Sequence, residues 1–598
     1  MDQTLDEQVE EREDREIPTQ PTDTPVARRR LLPDVLALVS YVAMGYYVMA
    51  RLWADPAGLM LRNNRDDHGL FLFLIGHGER VVFHGASPFF SDRLNAPGGV
   101  NMMANTSMLA VSIPMAPITH YFGVAVTVVL LLSLGLAGTA AAWYWVLSRH
   151  FVSSRTAAWI GGLWGGFAPA WISHASGHVN FVSGYVIPFL VWQVLRLREP
   201  GRVWRGGVIL GLLVTLQTFI NEEALLFAAL TLGLFIPLYA VMRPRIVREA
   251  APRFLAGGAV AAGVAGVLLA YPLYYQFRGP GNYHGQPFPP DRFTTTLLSM
   301  IAYPRQAVAG TTGIAKMLSG SATEDNTFWG PAGFVMIVVS AAMLWRSAAA
   351  RAAALAGLGL LLVSFGSHLR FTKTETSIPT GLGWVSHVPI LNLVTVPRYA
   401  LASTVVAGVL LALAVDRAPA LPRGRRNAYW IGLVLALAPL FPKPVPTLTA
   451  PTIPAFFAQG LWRGYVQGDQ SVVMVPMPEV ESGREGERVE ALTRQEFRVA
   501  RGYFMGPQDP PRKTRGAWGA PRRYTNALLT IARVKGVVTP ITPRRRNLII
   551  ADLHYWRAAV VVLLPDAENG PALQALLTGA LGPPRLVGGV ELWDVRSL

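Results

Sequence analysis

Residues 124–147 read VAVTVVLLLSLGLAGTAAAWYWVL, an apolar run without one charged side chain. A helix that crosses the ~30 Å hydrocarbon core of a bilayer needs about 20 such residues. The sequence therefore predicts a polytopic α-helical membrane protein with about eleven transmembrane helices. The other predicted helices, which carry few or no charges, are residues 32–53, 157–175, 181–197, 206–220, 223–242, 254–275, 331–345, 352–367, 399–415 and 428–442.

Composition supports the same class of protein. Of the 598 residues, 51% are hydrophobic and only 15% are charged, against a usual charged share of roughly 25%. A soluble chain of this length needs more charge to cover its surface, and a wholly disordered chain needs fewer aliphatic and aromatic residues. The chain has no cysteine, which excludes a disulfide scaffold, a thiolate metal site, an iron–sulfur cluster and a cysteine nucleophile.

The net charge of +16 comes largely from arginines in alternate loops. Arg28, Arg29 and Arg30 precede the first helix, whereas the short loops 175–180 and 217–222 contain no lysine or arginine. Because cytoplasmic loops are the basic ones, we expect a cytoplasmic N-terminus and no nucleic-acid partner. The alternation also requires two helices, not one, between residues 206 and 242. The other basic loops are 149–155, 196–205, 243–253, 346–351 and 417–426.

Composition also divides the chain into regions. Residues 1–30 are polar and predict a disordered cytoplasmic tail. The first apolar run comes late and lacks a small-residue cleavage site, so we expect a retained signal anchor. The membrane domain spans residues 31–442, a proline-rich aromatic linker 443–470, and a soluble domain 471–598. An odd number of helices places that last domain outside the membrane.

The C-terminal region predicts a small α/β domain with a core of its own. It contains no nucleophile elbow, phosphate loop or dinucleotide fingerprint. We therefore expect it to cap the active site or to bind the acceptor. The predicted strands are residues 471–476, 559–564 and 586–595, and the predicted helices are 490–500, 524–534 and 571–581.

Three long external loops, residues 54–123, 276–330 and 368–398, gather on one face of the predicted topology. A transporter usually keeps its loops short and its polar residues at broken helices near the bilayer midplane. Long loops beside an external domain instead favour chemistry at the outer membrane surface.

The first of these loops carries adjacent carboxylates, Asp66 and Asp67, within residues 63–68 (NNRDDH). Such groups are costly close to lipid unless they are paired or functional. One interpretation is a solvated turn that is paired with Arg62 and Arg65. The other is a general base, because a partly desolvated carboxylate can accept a proton from an attacking hydroxyl.

This topology and acidic pair resemble the glycosyltransferase C (GT-C) superfamily, whose members transfer a sugar from a polyprenyl-phosphate lipid outside the plasma membrane. Residues 63–190 are similar to largely unassigned actinobacterial GT-C-like membrane proteins, in which an aspartate lies as far before a His-Gly pair as Asp67 lies here. Asp67 is therefore the favoured base, and Asp66 is the alternative because many better-known relatives use the first acid of the pair. The matching motifs are His84-Gly85, residues 88–90 (PFF), 96–101 (APGGVN), 105–107 (NTS), 167–169 (FAP) and 177–180 (GHVN).

The resemblance calls for a phosphate site and a sugar site among the external residues. Cationic groups neutralise a leaving phosphate, although each one could instead contact a headgroup or, for a histidine, serve the fold. Glu222 and Glu223 could also cap the helix that they begin. Candidates for donor phosphate are Arg398, His178, Arg292, Arg305 and Lys316; candidates for sugar or acceptor are His84, Asn101, Asn180, Glu222, Glu223 and His284.

The predicted function is an inverting glycosyltransferase in a bacterial plasma membrane, acting on a glycan or glycoprotein acceptor of the cell envelope. The predicted sugar is mannose or arabinofuranose. No cofactor is required by the sequence; a divalent cation is compatible with the acids but is not predicted. The competing functions are a lipid-linked-sugar flippase or transporter and a non-enzymatic envelope assembly protein.

Overall fold

The computed structural model describes residues 31–289, 292–373, 378–480, 484–508 and 515–598. The predicted N-terminal tail, residues 1–30, lies outside the described residues. Every apolar segment predicted to cross the membrane contains a helix. The α-helices up to residue 442 are α1 (Leu32–Ala54), α2 (Arg65–His84), α3 (Leu109–Ser112), α4 (Ala116–Phe122), α5 (Val124–His150), α6 (Arg155–Phe167), α7 (Pro169–His174), α8 (Val179–Val182), α9 (Ile187–Arg196), α10 (Val203–Thr218), α11 (Glu222–Met242), α12 (Pro244–Arg278), α13 (Thr312–Leu318), α14 (Pro331–Met343), α15 (Ala348–Val363), α16 (Ala400–Arg417) and α17 (Arg423–Leu437).

Within the described residues, five helices are long and apolar enough to cross a bilayer: α1, α5, α11, α12 and the stretch Val396–Ala420 that contains α16. Helices α9, α10, α14 and α15 are shorter and also apolar. The most apolar window of α5 is 72% buried inside the protein, whereas that of α11 is only 11% buried. Such apolar side chains on the outside require a non-aqueous surrounding, so the chain is an integral multi-pass membrane protein.

Small residues bring the central helices together. A Cβ on Gly162 of α6 would lie 2.5 Å from the Tyr41 hydroxyl of α1 and 2.6 Å from the Ala140 carbonyl of α5. Glycine at this position is what allows the three helices to approach, as small residues do in membrane helix packing. The predicted division of residues 206–242 into two helices is confirmed, because α10 ends at Thr218 and Asn221 caps the start of α11.

The first long loop, between α1 and α5, is built around α2, which is buried along most of its length. The segment after α17 contributes a strand that pairs with this loop, with Leu59 opposite Thr449. Residues 443–470, which the sequence predicted as a linker, therefore also pack on this loop. The short strands of this part of the chain are β1 (Leu59–Leu61), β2 (Phe90–Ser91), β3 (Val100–Asn101), β4 (His368–Leu369), β5 (Ile378–Pro379) and β6 (Thr447–Thr449).

A mixed five-stranded sheet forms the C-terminal domain, with the strand order β12-β13-β11-β7-β8. Strands β11, β7 and β8 are parallel, whereas β13 is antiparallel to β11 and to β12. The elements, after α18 (Ala455–Ala458), are β7 (Ser471–Val475), α19 (Arg484–Leu492), β8 (Arg498–Val499), β9 (Met505–Pro507), β10 (Gly516–Trp518), α20 (Tyr524–Lys535), α21 (Pro543–Tyr555), β11 (Ala558–Leu563), α22 (Gly570–Leu581), β12 (Arg585–Val587) and β13 (Val590–Asp594).

Two sequence predictions for this domain are wrong in detail. The helix predicted at 490–500 is α19, which ends at Leu492 because Arg494 and Gln495 adopt the left-handed backbone region (φ 64° and 53°). The single strand predicted at 586–595 is the hairpin of β12 and β13, which turns at Gly588 and Gly589. Helix α21 was not predicted.

Candidate active site

Asp67 lies in the first turn of α2. Asn64 caps this helix: its side-chain oxygen accepts the Asp67 backbone N–H at 3.2 Å. The same amide donates to Asp67 Oδ2 at 2.5 Å. The helix start therefore fixes both the backbone and the carboxylate of Asp67, and 17% of that side chain remains exposed.

Two further donors reach Asp67 from distant parts of the chain. His178 Nε2 lies 2.7 Å from Oδ2, and the Tyr503 hydroxyl donates to Oδ1 at 2.8 Å. Burial raises the pKa of Asp67, but the hydrogen bond and charge of His178, together with the bonds from Asn64 and Tyr503, lower it to about 2. Asp67 is thus a carboxylate at neutral pH.

The neighbouring Asp66 faces a different partner. Its carboxylate forms an ion pair with Arg484 of α19, in the C-terminal domain. The two adjacent acids therefore have different partners: Asp66 is held by the C-terminal domain, and Asp67 by Asn64, His178 and Tyr503.

Behind Asp67, two buried histidines continue the hydrogen-bonded chain. His178 Nδ1 lies 2.7 Å from His174 Nδ1, so one of these nitrogens donates and the other accepts. His174 Nε2 has no hydrogen-bond partner among the described residues, and it lies 4.0 Å from Glu324 Oε2. If His178 donates to Asp67 as a neutral ring, its Nδ1 accepts from His174, and an unshared lone pair of His174 then faces the Glu324 carboxylate.

The ligating atoms of His174, His178 and Glu324 lie within 4.8 Å of one another. Imidazole nitrogen and carboxylate oxygen are a ligand set that suits a divalent transition metal. The unshared His174 nitrogen fits a cation, whereas both other residues already have partners. The donor set is therefore compatible with a metal without requiring one.

Arg398 lies at the far end of the same network. Its guanidinium contacts Glu324 Oε1 at 2.8 and 2.9 Å and Glu223 Oε2 at 2.7 Å. It also stacks over the Phe181 ring, with 4.8 Å from the guanidinium carbon to the ring centroid. Hydrogen bonds thus join Asp67, His178 and His174, and an ion pair joins Glu324 and Arg398; the two groups meet where His174 lies 4.0 Å from Glu324.

The structure brings together four of the predicted site residues, Asp67, His178, Arg398 and Glu223. Sequence reasoning missed Glu324 and Tyr503. The cluster Glu324-Asp325-Asn326, which directly precedes the apolar stretch beginning near Phe328, was a usable signal for the first. Nothing in the local sequence distinguishes Tyr503 from an ordinary core tyrosine.

Other predicted phosphate ligands have different partners. Arg305 forms two 2.8 Å contacts with the buried carboxylate of Asp325. The Arg292 guanidinium lies over the rings of Phe288 and Phe293, 6.0 and 5.5 Å from their centroids. Lys316 is exposed on α13. The structure does not join these three cations to the Asp67 network.

The predicted sugar ligands are also dispersed. His84 ends α2, about 25 Å along the helix from Asp67, and lies 3.5 Å from Glu79. Asn101 donates to the Tyr275 carbonyl at 3.1 Å. Three more remain: Asn180 is buried in α8 with no partner for its Oδ1 among the described residues, Glu222 accepts from Gln276 at 3.0 Å, and His284 is exposed beside Arg515.

No protein-family model matches this chain, and no curated protein does. One similar solved structure is the archaeal oligosaccharyltransferase AglB from Archaeoglobus fulgidus, in complex with an inhibitory peptide and a dolichol-phosphate. It is 12% identical in sequence, and the TM-score is 0.48. The match covers 90% of this chain and 70% of that chain. ArnT from Cupriavidus metallidurans in the apo state has 11% identity and a TM-score of 0.46, covering 94% and 97%. ArnT bound to undecaprenyl phosphate has 10% identity and the same TM-score, covering 94% and 98%. Similarity at this level does not identify a function, which the residues of the site have to support.

Proposed function

We propose that this protein is a GT-C-type glycosyltransferase that transfers a sugar from a polyprenyl-phosphate donor to an acceptor hydroxyl at the external face of a bacterial plasma membrane. One observation carries the proposal. The ionised carboxylate of Asp67 and the guanidinium of Arg398 lie at the two ends of one network of buried polar groups. A base for the acceptor and a cation for the leaving phosphate are the two groups that this reaction needs.

The proposed step is a single displacement. The acceptor oxygen attacks the anomeric carbon while its proton passes to Asp67. The bond between that carbon and the phosphate oxygen breaks, and polyprenyl phosphate leaves with the electron pair. Attack from the face opposite the leaving group inverts the anomeric configuration.

Three donors make Asp67 a weak base at rest, since each stabilises its ionised form. An acceptor hydroxyl that takes the place of one donor would leave fewer hydrogen bonds to the carboxylate. Its basicity would then rise as the acceptor binds, when proton transfer has to begin.

Arg398 is proposed to meet the donor phosphate. Its planar fork is already oriented by Glu223, Glu324 and the Phe181 ring. A phosphate could bind the same fork bidentately in competition with one carboxylate. The two acids would then balance the Arg398 charge whenever the donor is absent.

The remaining parts of the proposal concern the topology, the sugar and the acceptor. About eleven helices cross the membrane, the N-terminus is cytoplasmic, and the C-terminal domain lies outside. The sugar is mannose or arabinofuranose, and the acceptor is an envelope glycan or glycoprotein. Neither a nucleotide sugar nor a resident cofactor is needed for the displacement.

The decisive experiment uses purified full-length protein with labelled polyprenyl-phosphate mannose and polyprenyl-phosphate arabinofuranose. We expect sugar transfer without nucleotide, and a loss of at least about a hundredfold in Asp67→Asn with donor binding retained. Asp469→Asn, at an exposed aspartate paired with Arg557, is the matched control and should transfer normally. Parental activity in Asp67→Asn would refute the proposed role of this carboxylate.

A further inference from the structure

A crevice of about 230 Å³ lies between the start of α2, the segment after β6 and the C-terminal domain. Arg65 lines it from α2, and Pro451 and Pro454 line it from the segment after β6. Arg533 and Asp566 line it from the C-terminal domain. The crevice is separate from the network between Asp67 and Arg398, which contributes none of its lining residues.

The position of the crevice within the sheet is one at which ligands bind. Pro476 and Leu564, both in its lining, directly follow β7 and β11, two adjacent parallel strands. The connection after β7 leads to α19 on one face of the sheet. The connection after β11 leads to α22 on the opposite face. In open sheets with parallel strands, binding sites form outside the carboxyl ends of strands at such a switch in direction.

Core packing establishes the two faces. Val472 and Met474 of β7 pack in the same cluster as Val489 of α19. The alternate side chains Val473 and Val475 pack in another cluster, which contains residues of α20, α21 and α22. The crevice therefore lies where the connections after β7 and β11 run to opposite faces of the sheet.

The charges of the lining are close to balanced. Three of its arginines are already engaged: Arg484 by Asp66, Arg488 by Glu485, and Arg533 by Glu568. Arg65 and Asp566 form no ion pair with any residue in the described part of the chain. A pocket selective for a polyanion would show an excess of cations, whereas paired and opposed charges beside proline rings suit the vicinal hydroxyls and apolar face of a neutral sugar.

The crevice also adjoins the candidate base. Arg65 immediately precedes Asp66 and Asp67 at the start of α2. Arg484 lines the crevice and holds the Asp66 carboxylate. The crevice is therefore lined by the same first turn of α2 that carries Asp67.

We infer that this crevice binds a sugar residue of a glycan acceptor, next to the residue whose hydroxyl is glycosylated. This inference rests on the proposed glycosyltransferase function and names its acceptor class. Arg65 and Asp566 supply the hydrogen bonds that are not taken up by internal ion pairs. Arg533 supplies a further one, because its ion pair with the exposed Glu568 is weak.

The test measures binding and turnover with full-length protein in detergent. The probes are methyl disaccharides of mannose, arabinofuranose, glucose and galactose, with inorganic phosphate as the anionic comparison. Binding is followed by saturation-transfer NMR for the parent, Asp566→Ala, Arg533→Ala and Arg585→Ala. Arg585 lies exposed on the edge strand β12 and is the control.

We expect at least one disaccharide to bind the parent, and Asp566→Ala and Arg533→Ala to weaken that binding about tenfold. Both variants should raise KM for that disaccharide as acceptor while donor hydrolysis stays at the parental rate. Arg585→Ala should change neither quantity.

Three results would overturn the inference: no disaccharide binds, binding is unaffected by both crevice variants, or phosphate alone binds the crevice. The last outcome would make it an anion site. Failure of the parent to cleave any polyprenyl-phosphate sugar would instead count against the proposed function, since disaccharide binding does not depend on the donor.

Discussion

Tyr503 is the residue through which the C-terminal domain contacts the candidate base. Its hydroxyl donates to Asp67 Oδ1 from a position 436 residues away in the chain. Its backbone N–H donates to Glu487 at 2.8 Å, and its ring stacks on Trp518 at 5.2 Å between centroids. Backbone and ring are thus fixed, which keeps the hydroxyl aimed at Asp67.

We predict that Tyr503→Phe shifts the acid limb of the pH–rate profile to higher pH. The hydroxyl stabilises the ionised form of Asp67, so its removal raises the pKa of the carboxylate, by about one unit for one hydrogen bond. The measurement is kcat/KM against pH, with Tyr555→Phe at an exposed position of α21 as the control. An unchanged profile would show that Tyr503 serves packing alone.

The role of Arg398 is better tested by a substitution that keeps its charge than by alanine. Arg398→Ala would leave Glu223 and Glu324 without their buried partner, and breaking a buried ion pair costs about 3–5 kcal/mol of stability. Loss of activity in that variant would say little about phosphate.

Arg398→Lys keeps the charge but loses the fork, so we predict a folded protein whose turnover falls about tenfold or more. Arg305→Lys is the matched control, because Arg305 also forms a buried bidentate pair, with Asp325. Thermal stability and turnover are measured for both variants. Equal effects on turnover would assign Arg398 a structural role.

Among the elements, α19 packs the C-terminal domain against α2. Glu487 and Glu490 are one turn apart on α19, and neither oxygen of Glu490 has a hydrogen-bond partner among the described residues. Burial, and the nearby charges of Asp66 and Asp67, raise the pKa of Glu487 to about 8 against the opposing Tyr503 N–H. Burial and Glu487 raise the pKa of Glu490 well above its usual range, although Arg80 and Arg93 oppose this and Asp92 adds to it.

The sign of the resulting pH dependence follows from these raised pKa values. Both carboxyls are neutral in the folded protein where they would be ionised in the unfolded chain. Their contribution to stability is therefore fully present below about pH 4.5, where the unfolded carboxyls are also neutral. It is lost progressively as the pH rises from there to the folded pKa, which is about 8 for Glu487 and is raised for Glu490 too.

We predict that Glu490→Gln raises the melting temperature more at pH 8 than at pH 5, because glutamine cannot ionise. Melting curves in detergent at both pH values test this. Glu496→Gln, where the acid pairs with Arg463, should show no such difference. An equal shift for Glu490→Gln at both pH values would mean that Glu490 is not neutral when buried.

Some helices and helix ends could be predicted from the sequence and others could not, for physical reasons. Long apolar runs define their own helices, so α5 and α11 could be predicted directly. The end of α19 depends on two residues with positive φ that are not glycine, and local propensity gives no sign of it. The Asp67 carboxylate was predicted from a motif, but its contact with Tyr503 forms only after the entire chain has folded.

On the scale of the whole molecule, the C-terminal domain and the first long loop form one continuous structure. Strand β6, in the segment that precedes that domain, pairs with β1 of the loop. Within the domain, Gln495 donates to the Phe73 carbonyl of α2 at 2.6 Å, and Arg484 forms an ion pair with Asp66. A domain that served only the acceptor would not need to supply partners to both carboxylates.

This arrangement predicts that undocking the domain affects the donor reaction as well as the acceptor reaction. In the double variant Arg484→Ala/Gln495→Ala, the ion pair with Asp66 and the bond to α2 are both lost, which loosens Tyr503 from Asp67. We expect slow donor hydrolysis to water and sugar transfer to fall together, by about tenfold or more, in a protein that still inserts into the membrane. Release of labelled polyprenyl phosphate is compared with acceptor labelling in the same preparation, with Arg585→Ala as the control. Should transfer collapse while hydrolysis persists at the parental rate, the domain acts on the acceptor alone, and Asp67 does not depend on it for its position.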